Sequence, residues 1–470
     1  MSIHQNSGSF RDPFGYIFHK NDTVFRTILS PAKKQYETIR DKGLIQESID
    51  QGFLIGSEEL TSTTVPPELN EAEYVIKHKK IPFISYPYEW SFYQLKAAAL
   101  HHLKFELFLL DRGALLRDAS AYNIQFVDTK PTFIDLLSIA PYKEGDYWLG
   151  HRQFCEQFLN PLLLRSLKGI THFSWFRGSL EGISTQDLSK IMSLKDKLSW
   201  KVFFHVSMQA RLNSSAISNP DEAEAKTKVR KPLPKSAYKG LITQLCSWIE
   251  KLEPKDKSKT VWGDYVKNNT YLDDETKEKH EVVFNFSNQH KPKKLIDLGC
   301  NSGDYSITSL QGGTTSVIGY DFDPNAIDIA YKRSHTQQLP FLPLHLDVTN
   351  PSPNQGWMQM ERQGFKERAK VDAVIALAFI HHLAIGKNIP LNQAIQWITD
   401  IAPTGLIEFV PKNDETVCHM LSLREDIFTN YTEENFIRIL SQKNKVLSNS
   451  QVLSSARKNL NFLDYIKKMY

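Results

Sequence analysis

Cysteine is scarce in this chain: four are present among 470 residues, at Cys155, Cys246, Cys300 and Cys418. They lie far apart, and none belongs to a pair with metal-ligand spacing. The sequence therefore indicates neither a disulfide framework nor a zinc site. We expect no bound metal and a reducing compartment, the cytoplasm.

Long hydrophobic runs are missing as well. The longest apolar stretches are broken by Asp111 or by His381 and His382, so they fall short of the roughly 20 residues that span a bilayer. The segment from Met1 to Pro13 is polar, and no export signal is predicted. Charge of one sign is not in excess either, because 57 basic and 53 acidic residues leave a formal charge of +4. This charge is too small to favour nucleic acid or an anionic membrane as the main partner.

The chain contains enough apolar residues to form the cores of more than one domain: 41% of its residues are hydrophobic and 11% are aromatic. A seam rich in Asn, Ser and Pro, and then in charged residues, lies between 211 and 235. Such a composition is typical of a linker or an exposed insertion. We predict an N-terminal accessory domain over 1–210, a linker over 211–235 and a second domain over 236–470.

A glycine-rich turn follows an apolar strand in the second domain. The strand from Lys294 closes on Asp297, and Gly299 and Gly303 then allow the backbone to turn sharply and to lie close to a ligand. Asn301 stands where a middle glycine is often found, and Asn is the residue other than Gly that best tolerates left-handed backbone. The segment predicts a turn that binds a nucleoside.

A second apolar strand, 316–320, ends at Asp321, whose carboxylate is placed to accept hydrogen bonds from both ribose hydroxyls of a nucleoside. The competing ligand is a nicotinamide dinucleotide, whose fingerprint needs glycines at the first, third and sixth positions. Counting from Gly299, Asn301 is third and Asp304 is sixth. A carboxylate at Asp304 would also repel a pyrophosphate at the helix N-terminus. The spacing therefore favours a ligand without phosphate, such as S-adenosylmethionine.

From Asp297 to Asp321 the chain resembles the first two motifs of class I S-adenosylmethionine-dependent methyltransferases. Three more apolar runs follow in that family's order, at 344–348, 371–378 and 405–411, and such runs are typical of parallel strands covered on both faces. The resemblance implies an α/β fold with a C-terminal Rossmann-like, seven-stranded methyltransferase sheet. It also implies S-adenosylmethionine as cofactor, with Asp347 facing the adenine amino group. The implied cofactor-binding residues are Asp297, Gly299, Asn301, Gly303, Asp321, Phe322, Asp347 and Val348.

A longer part of the chain resembles a narrower family, the NoeA-type nodulation methyltransferases. Three aromatics, Trp262, Tyr265 and Tyr271, precede the first strand, in a segment that often folds over the cofactor in such domains. Packing in a core is the competing interpretation of these rings. The likeness rests on four short segments, 262–265, 271–274, 297–303 and 408–412. It also extends upstream of the linker.

Catalysis of methyl transfer needs an aligned acceptor lone pair, and it needs a base only where the acceptor must lose a proton. Histidine is the side chain most readily poised for that task near neutral pH. His381 and His382 follow the fourth strand and are the candidate catalytic residues; a structural or substrate-orienting role is the alternative. Glu408, which ends the fifth strand, and Asp414 are second choices.

The N-terminal half carries a different pattern, in which Asp118, Asn123 and Asp135 resemble the catalytic loop and the metal-binding Asp of protein and aminoglycoside kinases. In that family these positions imply a base and two magnesium ligands. However, no glycine-rich phosphate loop lies near residue 15, and no His precedes Arg117. We predict an α+β accessory domain that recognises the acceptor or a partner. A kinase-like fold is one interpretation, and a loop whose Asp and Asn form turns is the other.

Local patterns predict several further elements of the first domain and of the segment after the linker. They are a hairpin around 20–22 and helices over 91–110, 151–167, 180–192 and 239–252.

The predicted function is S-adenosylmethionine-dependent methyl transfer to an acceptor that the sequence does not identify: a sugar, a protein or a small molecule. Phosphotransfer by the N-terminal domain and a non-catalytic scaffold are the alternatives. No motif decides the oligomeric state.

Overall fold

A computed structural model of the chain describes residues 3–210, 232–256, 273–422, 424–453 and 459–467. The chain divides into two compact units. The first comprises Met1–Asp256 and Asn354–Arg362, and the second comprises Lys257–Pro353 and Gln363–Tyr470. None of the helices within the described ranges is long and apolar enough to cross a membrane.

The first unit begins with an antiparallel sheet of five strands in the order β1-β2-β3-β5-β4. The predicted hairpin is confirmed, since β2 pairs with β3 and Asn21 between them adopts left-handed backbone with φ 53°. Two smaller antiparallel pairs follow, β6 with β9 and β7 with β8. The strands are β1 His4–Gln5, β2 Ile17–Lys20, β3 Thr23–Ile28, β4 Ser57–Glu59, β5 Tyr74–His78, β6 Ala114–Leu116, β7 Ile124–Val127, β8 Lys130–Phe133 and β9 Ile139–Pro141.

Helices make up most of the rest of the first unit. The predicted helix over 91–110 is observed as Phe92–Asp111, and it is capped by Ser91, whose hydroxyl accepts from Gln94 N. The helix over 151–168 contains two π-helical segments, Cys155–Leu159 and Leu164–Lys168. A helix over 200–210 contains a third, Phe203–Met208. The other α-helices are Ser30–Asp41, Leu44–Asp50, Phe173–Gly178, Thr185–Ile191, Leu194–Lys197 and Lys235–Ile249. Short 3-10 turns are Ser7–Arg11, Pro67–Leu69, Pro87–Glu89, Ala121–Asn123 and Leu136–Ser138.

One predicted helix of this unit is much shorter than expected. The prediction covered 180–192, but the helix runs over Thr185–Ile191, because the Ser184 hydroxyl accepts from Asp187 N and starts the helix there.

The helix Lys235–Ile249 belongs to the first unit, although the prediction assigned residues from 236 onward to the second domain. It packs against the helix Phe92–Asp111, where the fully buried Tyr238 donates a 2.7 Å hydrogen bond to Glu106 Oε1. Lys239 and Asp111, on the same two helices, form a 2.5 Å ion pair. The division between the units therefore lies after Asp256. Most of the predicted linker, 211–231, lies outside the described residues.

The second unit contains a seven-stranded sheet in the order β12-β11-β10-β13-β14-β16-β15. The five strands β10 to β14 are parallel, and β16 runs antiparallel to both β14 and β15. This order and this single reversed strand confirm the predicted methyltransferase fold. The strands are β10 Lys294–Leu298, β11 Ser316–Asp321, β12 Phe341–His345, β13 Ala373–Ala376, β14 Thr404–Phe409, β15 Asn444–Leu453 and β16 Asn459–Lys467.

Burial explains why the central strands are so apolar. Leu295 and Ile296, on opposite faces of β10, are both fully buried, and so is all of β13. Side chains alternate between the two faces of a strand, so the sheet is covered on both sides. The helices of this unit are Asp273–His290, Asp304–Gln311, Pro324–Gln337, Phe365–Arg368, Leu391–Ile401, Glu415–Ser422 and Glu433–Lys443, with a π-helical turn at His382–Gly386. The 3-10 turn Trp357–Gln359 lies in the segment that belongs to the first unit.

The third parallel strand lies three residues earlier than predicted. The prediction took 344–348, but β12 is Phe341–His345, with Pro343 in its middle opposite Gly319. Proline is tolerated here because β12 is the edge strand of the sheet, where one row of N–H groups needs no partner strand. Asp347 therefore lies two residues beyond the strand and does not end it.

Candidate functional site: the carboxyl edge of the parallel sheet

The turn after β10 has the backbone that its glycines predicted. Gly299, Asn301 and Gly303 all have positive φ, at 77°, 47° and 87°. A Cβ on Gly303 would lie 2.4 Å from Phe341 Cε1, and one on Gly299 would lie 3.1 Å from Phe379 Cδ2. The glycines are thus required for left-handed backbone and for close packing. The turn exposes backbone at the carboxyl edge of the sheet, where ligands bind in open α/β folds.

Asp321, the last residue of β11, holds this turn in place. Its Oδ2 accepts a 2.9 Å hydrogen bond from Asn301 N, and its Oδ1 accepts one of 2.8 Å from Asp323 N. Burial raises the pKa of Asp321 to about 6, while these N–H donors favour its charged form. A carboxylate has about four acceptor positions, so this side chain keeps capacity for ligand hydroxyls.

Asp297, on the neighbouring strand β10, is the most deeply buried acid of the turn. Its Oδ2 accepts a 2.6 Å hydrogen bond from Ser306 Oγ, at the start of the next helix. Burial raises the pKa of Asp297 to about 7, with a further contribution from the negative charge of Asp321. The two acids at the ends of adjacent strands are therefore electrostatically coupled, and together they favour a cationic ligand.

Asp304 was expected to repel a pyrophosphate at the helix N-terminus, but its carboxylate is paired with an arginine. Arg333 Nη1 donates to Asp304 Oδ1 at 2.7 Å and to Ser302 O at 2.9 Å. This pairing offsets part of the charge at the start of the helix Asp304–Gln311. The argument against a dinucleotide then rests on the glycine spacing rather than on repulsion.

The remaining predicted cofactor residues lie on the loops after β11 and β12. Phe322, next to Asp321, is 58% exposed although it is a large aromatic ring. Asp347 is exposed, and its Oδ1 accepts from both Thr349 N and Thr349 Oγ. Val348, which follows Asp347 in the chain, is half-buried. An exposed ring and a free carboxylate edge on adjacent loops match the needs of a purine, which has an apolar face and a polar rim.

The two candidate catalytic histidines lie side by side after β13. Their ring centroids are 4.1 Å apart. His381 is buried, and its Nδ1 has no hydrogen-bond partner among the described residues. Burial lowers the pKa of His381 well below its ordinary value, with the charge of Lys279 adding to the effect, and burial lowers that of His382 to about 4. Both rings are therefore neutral near pH 7. A neutral ring can accept a proton, but burial also makes each ring a weaker base than an exposed histidine.

Glu408, predicted as a second-choice base, makes structural contacts with both carboxylate oxygens. Its Oε2 accepts a 2.7 Å hydrogen bond from Ala378 N, and its Oε1 lies 3.2 Å from Lys279 Nζ. Both charged side chains are buried. Ala378 has φ 46°, a conformation that costs a residue with a Cβ about 1–2 kcal/mol. Glu408 thus fixes the turn that leads to the histidines.

Sequence reasoning missed Lys279, because it lies within a charged stretch of the helix Asp273–His290 that has the pattern of a solvated face. Asp414, the other second-choice base, also has a structural role: its Oδ1 accepts from Thr416 N at 2.9 Å and caps the helix Glu415–Ser422. The aromatics Trp262, Tyr265 and Tyr271 lie outside the described residues.

The kinase-like residues of the first unit lie together. Asn123 Nδ2 donates to Asp118 Oδ1 at 3.1 Å, and burial followed by the charge of Asp135 raises the pKa of Asp118 to about 6. Asp135 Oδ1 lies 3.3 Å from Arg26 Nη2, and the same Arg26 pairs with Asp12. An arginine on β3 thus neutralises the acid that the kinase resemblance assigns to magnesium. The kinase-like fold and its activity stay predictions.

Comparison with known proteins decides the family. Residues 281–378, which contain β10 to β13 and the glycine turn, match the family model "Ribosomal protein L11 methyltransferase (PrmA)". Nodulation protein NoeA of Rhizobium meliloti (strain 1021) is 47% identical over 451 residues, which is 96% of this chain and 94% of that protein. The chain belongs to the NoeA family.

Membership of the NoeA family, the matched methyltransferase model and the seven-stranded sheet confirm the predicted enzyme class, an S-adenosylmethionine-dependent methyltransferase. Two solved methyltransferases are similar to part of this chain. N-methyltransferase NodS from Bradyrhizobium japonicum WM9 is 14% identical, covers 42% of this chain and 100% of its own, and has a TM-score of 0.32. Magnesium protoporphyrin IX methyltransferase (ChlM) from Synechocystis PCC 6803, with bound SAH, is 16% identical, covers 41% of this chain and 84% of its own, and has a TM-score of 0.31.

Proposed function

We propose that the second unit binds S-adenosylmethionine at the carboxyl ends of β10 and β11 and transfers its methyl group to a nucleophilic acceptor. The observation that carries this proposal is the hydrogen bond from Asn301 N to Asp321 Oδ2. It sets a glycine turn and a carboxylate with spare acceptor positions side by side, as a nucleoside requires.

Each portion of the cofactor has a matching group on this edge. Asp321 accepts hydrogen bonds from the ribose hydroxyls, and Asp297 provides negative charge for the ammonium group, directly or through water. The exposed ring of Phe322 packs on the adenine, while Asp347 and Val348 line its rim. Gly299, Asn301 and Gly303 bring backbone close to the methionine portion, where side chains would be in the way.

S-adenosylmethionine, when bound, supplies an electrophilic methyl group on a sulfonium sulfur. The contribution of the chain is to align the acceptor with that methyl and to keep water out, which in favourable intramolecular cases lowers a barrier by about 7–11 kcal/mol. Where the acceptor is a hydroxyl or an ammonium, one neutral ring of His381 or His382 accepts its proton. Glu408 and Lys279 keep the loop that carries both rings in position.

Calorimetry with the full chain tests the cofactor site. We expect Asp321→Ala to weaken binding of S-adenosylmethionine by at least about tenfold, since hydrogen bonds to a charged group are each worth about 1.5–3 kcal/mol. Glu434→Ala, which removes an exposed acid of the same unit, is the control and should bind as the wild type does. Equal affinity of the wild type and a folded Asp321→Ala variant would remove the ribose assignment.

The acceptor is the part of the reaction that the fold leaves open, because one fold hosts many substrates. Nodulation is the process named for the NoeA relative, and it does not define a chemical class. Tritiated methyl transfer from the cofactor into fractionated cell extract identifies that class: label in the saccharide, protein or small-molecule fraction selects one of the three. An extract without labelled product, given a chain that binds the cofactor, would favour the non-catalytic scaffold.

A further inference from the structure

We propose that His151, Cys155 and His205 form a binding site for a transition-metal ion, best suited to Zn²⁺, inside the first unit. One ligand atom from each residue lies within 4.8 Å of the other two. His151 Nε2 is 3.2 Å from His205 Nδ1 and 3.7 Å from Cys155 Sγ. This group is far from the methyl-transfer residues in the sequence and belongs to the other unit.

Two helices bring the three side chains together. His151 and Cys155 are four residues apart on the helix over 151–168, so they lie on the same face. His205 comes from the π-helical segment Phe203–Met208 of the helix over 200–210. π-helical segments occur frequently at functional sites. Of the three in this unit, one starts at Cys155 and another contains His205.

The distances are those of a coordination shell. Zinc binds nitrogen at about 2.0–2.1 Å and sulfur at about 2.3 Å, so tetrahedral geometry sets neighbouring ligand atoms about 3.3–3.6 Å apart. The observed 3.2 Å between the nitrogens and 3.7 Å between nitrogen and sulfur fall close to those edges. The third pair, Cys155 with His205, lies within 4.8 Å, so an ion at the centre of the group would draw these two side chains together.

Packing without a metal explains these contacts less well. The single hydrogen-bonding position of His151 Nε2 is approached by both His205 Nδ1 and Cys155 Sγ. A neutral imidazole nitrogen either donates one hydrogen or accepts with one lone pair, so one neighbour is left poorly satisfied. A cation uses the lone pairs of all three atoms at once.

The surroundings shield the group from bulk solvent. The ring of Trp148 lies 5.3 Å from that of His151, and the ring of Trp248 lies 5.8 Å from that of His205. Cys155 and His205 are both buried.

Metal binding replaces the proton of the Cys155 thiol with the ion. The ion accepts one lone pair from each imidazole and one from the Cys155 sulfur, and the thiol proton leaves to solvent. Thiolate and imidazole ligands together select zinc or another soft first-row metal over Mg²⁺ or Ca²⁺. No fourth His, Cys, Asp or Glu joins the group in the described part of the chain, so water takes the fourth position. The site ties the helix over 151–168 to the helix over 200–210.

The test uses the full chain, purified under reducing conditions without an affinity tag. We expect about one equivalent of zinc by mass spectrometry of the purified protein. After the metal is removed by chelation, titration with Co²⁺ should produce a thiolate-to-cobalt charge-transfer band that saturates at one equivalent and is abolished by added Zn²⁺, which binds such sites more tightly. These readouts need no variant and no enzymatic activity.

Variants then assign the ligands. Cys155→Ser should abolish the band, and His205→Gln should weaken Co²⁺ binding by at least about tenfold, as the loss of supporting groups already does at metal sites. Cys246→Ser, which changes the other buried cysteine of the first unit, should keep the wild-type band. The proposal fails if the wild type neither contains zinc nor gives the band with excess Co²⁺, or if a folded Cys155→Ser variant keeps it.

Discussion

Asn301 N donates to Asp321 Oδ2 over 2.9 Å, so the turn after β10 is hydrogen-bonded to the end of the neighbouring strand β11. Asn301 makes this contact from left-handed backbone, with φ 47°. The same carboxylate also holds Asp323 N, which starts the loop into the next helix. One acid thus fixes both loops that border the proposed cofactor site.

Gly303→Ala should destabilise the second unit by roughly 1–3 kcal/mol, the usual cost of forcing extra volume into a packed site. The reason is steric, because the new Cβ would meet Phe341 Cε1 at 2.4 Å. Denaturant unfolding measures the loss.

The matched control is Gly313→Ala. Gly313 has φ 105°, but a Cβ there meets only Lys291 Cγ, at 3.9 Å. Both variants carry backbone strain, whereas only Gly303→Ala adds a clash. Equal destabilisation of the two would show that the contact with Phe341 is unimportant.

Affinity for S-adenosylmethionine should fall as the pH is lowered from 8 to 5.5. Asp297 and Asp321 have raised pKa values, about 7 and about 6, so both gain protons over this range. A cationic ligand favours their charged forms, so binding displaces protons and weakens by up to about tenfold per pH unit for each proton displaced. Calorimetry at several pH values, in two buffers of different ionisation enthalpy, measures both the affinity and the protons released.

Asp297→Asn provides the control for this pH effect. It should bind more weakly at pH 8, and its affinity should change less between pH 8 and pH 6 than that of the wild type. A variant with the same pH profile as the wild type would exclude Asp297 as a titrating group of the site.

Lys279→Met and Glu408→Gln should each destabilise the second unit by about 3–5 kcal/mol, the cost of leaving one buried charge without its partner. The two charges lie 3.2 Å apart and are nearly inaccessible. The double variant Lys279→Met/Glu408→Gln should lose less than the sum of the single variants, because neither charge is then left alone. Additive losses in unfolding experiments would show that the ion pair is not coupled.

His381→Ala or His382→Ala should lower kcat by about 10²–10⁴ if that ring accepts the acceptor proton, with cofactor affinity unchanged. Since burial keeps the pKa of His382 near 4 and that of His381 below its ordinary value, titration of these rings should not change kcat between pH 6 and pH 8. Initial rates at saturating cofactor measure both effects. Loss of cofactor binding in either variant would indicate a structural role instead.

A chain that begins at residue 257 should be more soluble than one that begins at residue 211. The longer chain would carry the helix Lys235–Ile249 without the helix Phe92–Asp111 on which it packs, and would expose Tyr238, Ile242 and Leu245. Size-exclusion chromatography of both proteins makes the comparison. Similar solubility would show that this helix does not depend on the first unit.

Local sequence determined the parallel strands, the glycine turn and the acids at 297 and 321, because each follows from a pattern within a few consecutive residues. An apolar run ends at an acid, and the positions that need left-handed backbone hold Gly or Asn. The third strand was misplaced by three residues, because a proline is compatible with a strand only at the edge of a sheet, and the edge is a property of the whole sheet.

Only the tertiary structure decided which distant side chains meet. The contact of Lys279 with Glu408, the packing of Tyr238 on Glu106 and the group of His151, Cys155 and His205 each join residues from separate elements. No local pattern marks them, since a buried lysine on a charged helix and a histidine in an aromatic stretch look ordinary in sequence. Their roles arise from burial and proximity, which exist only once the chain has folded.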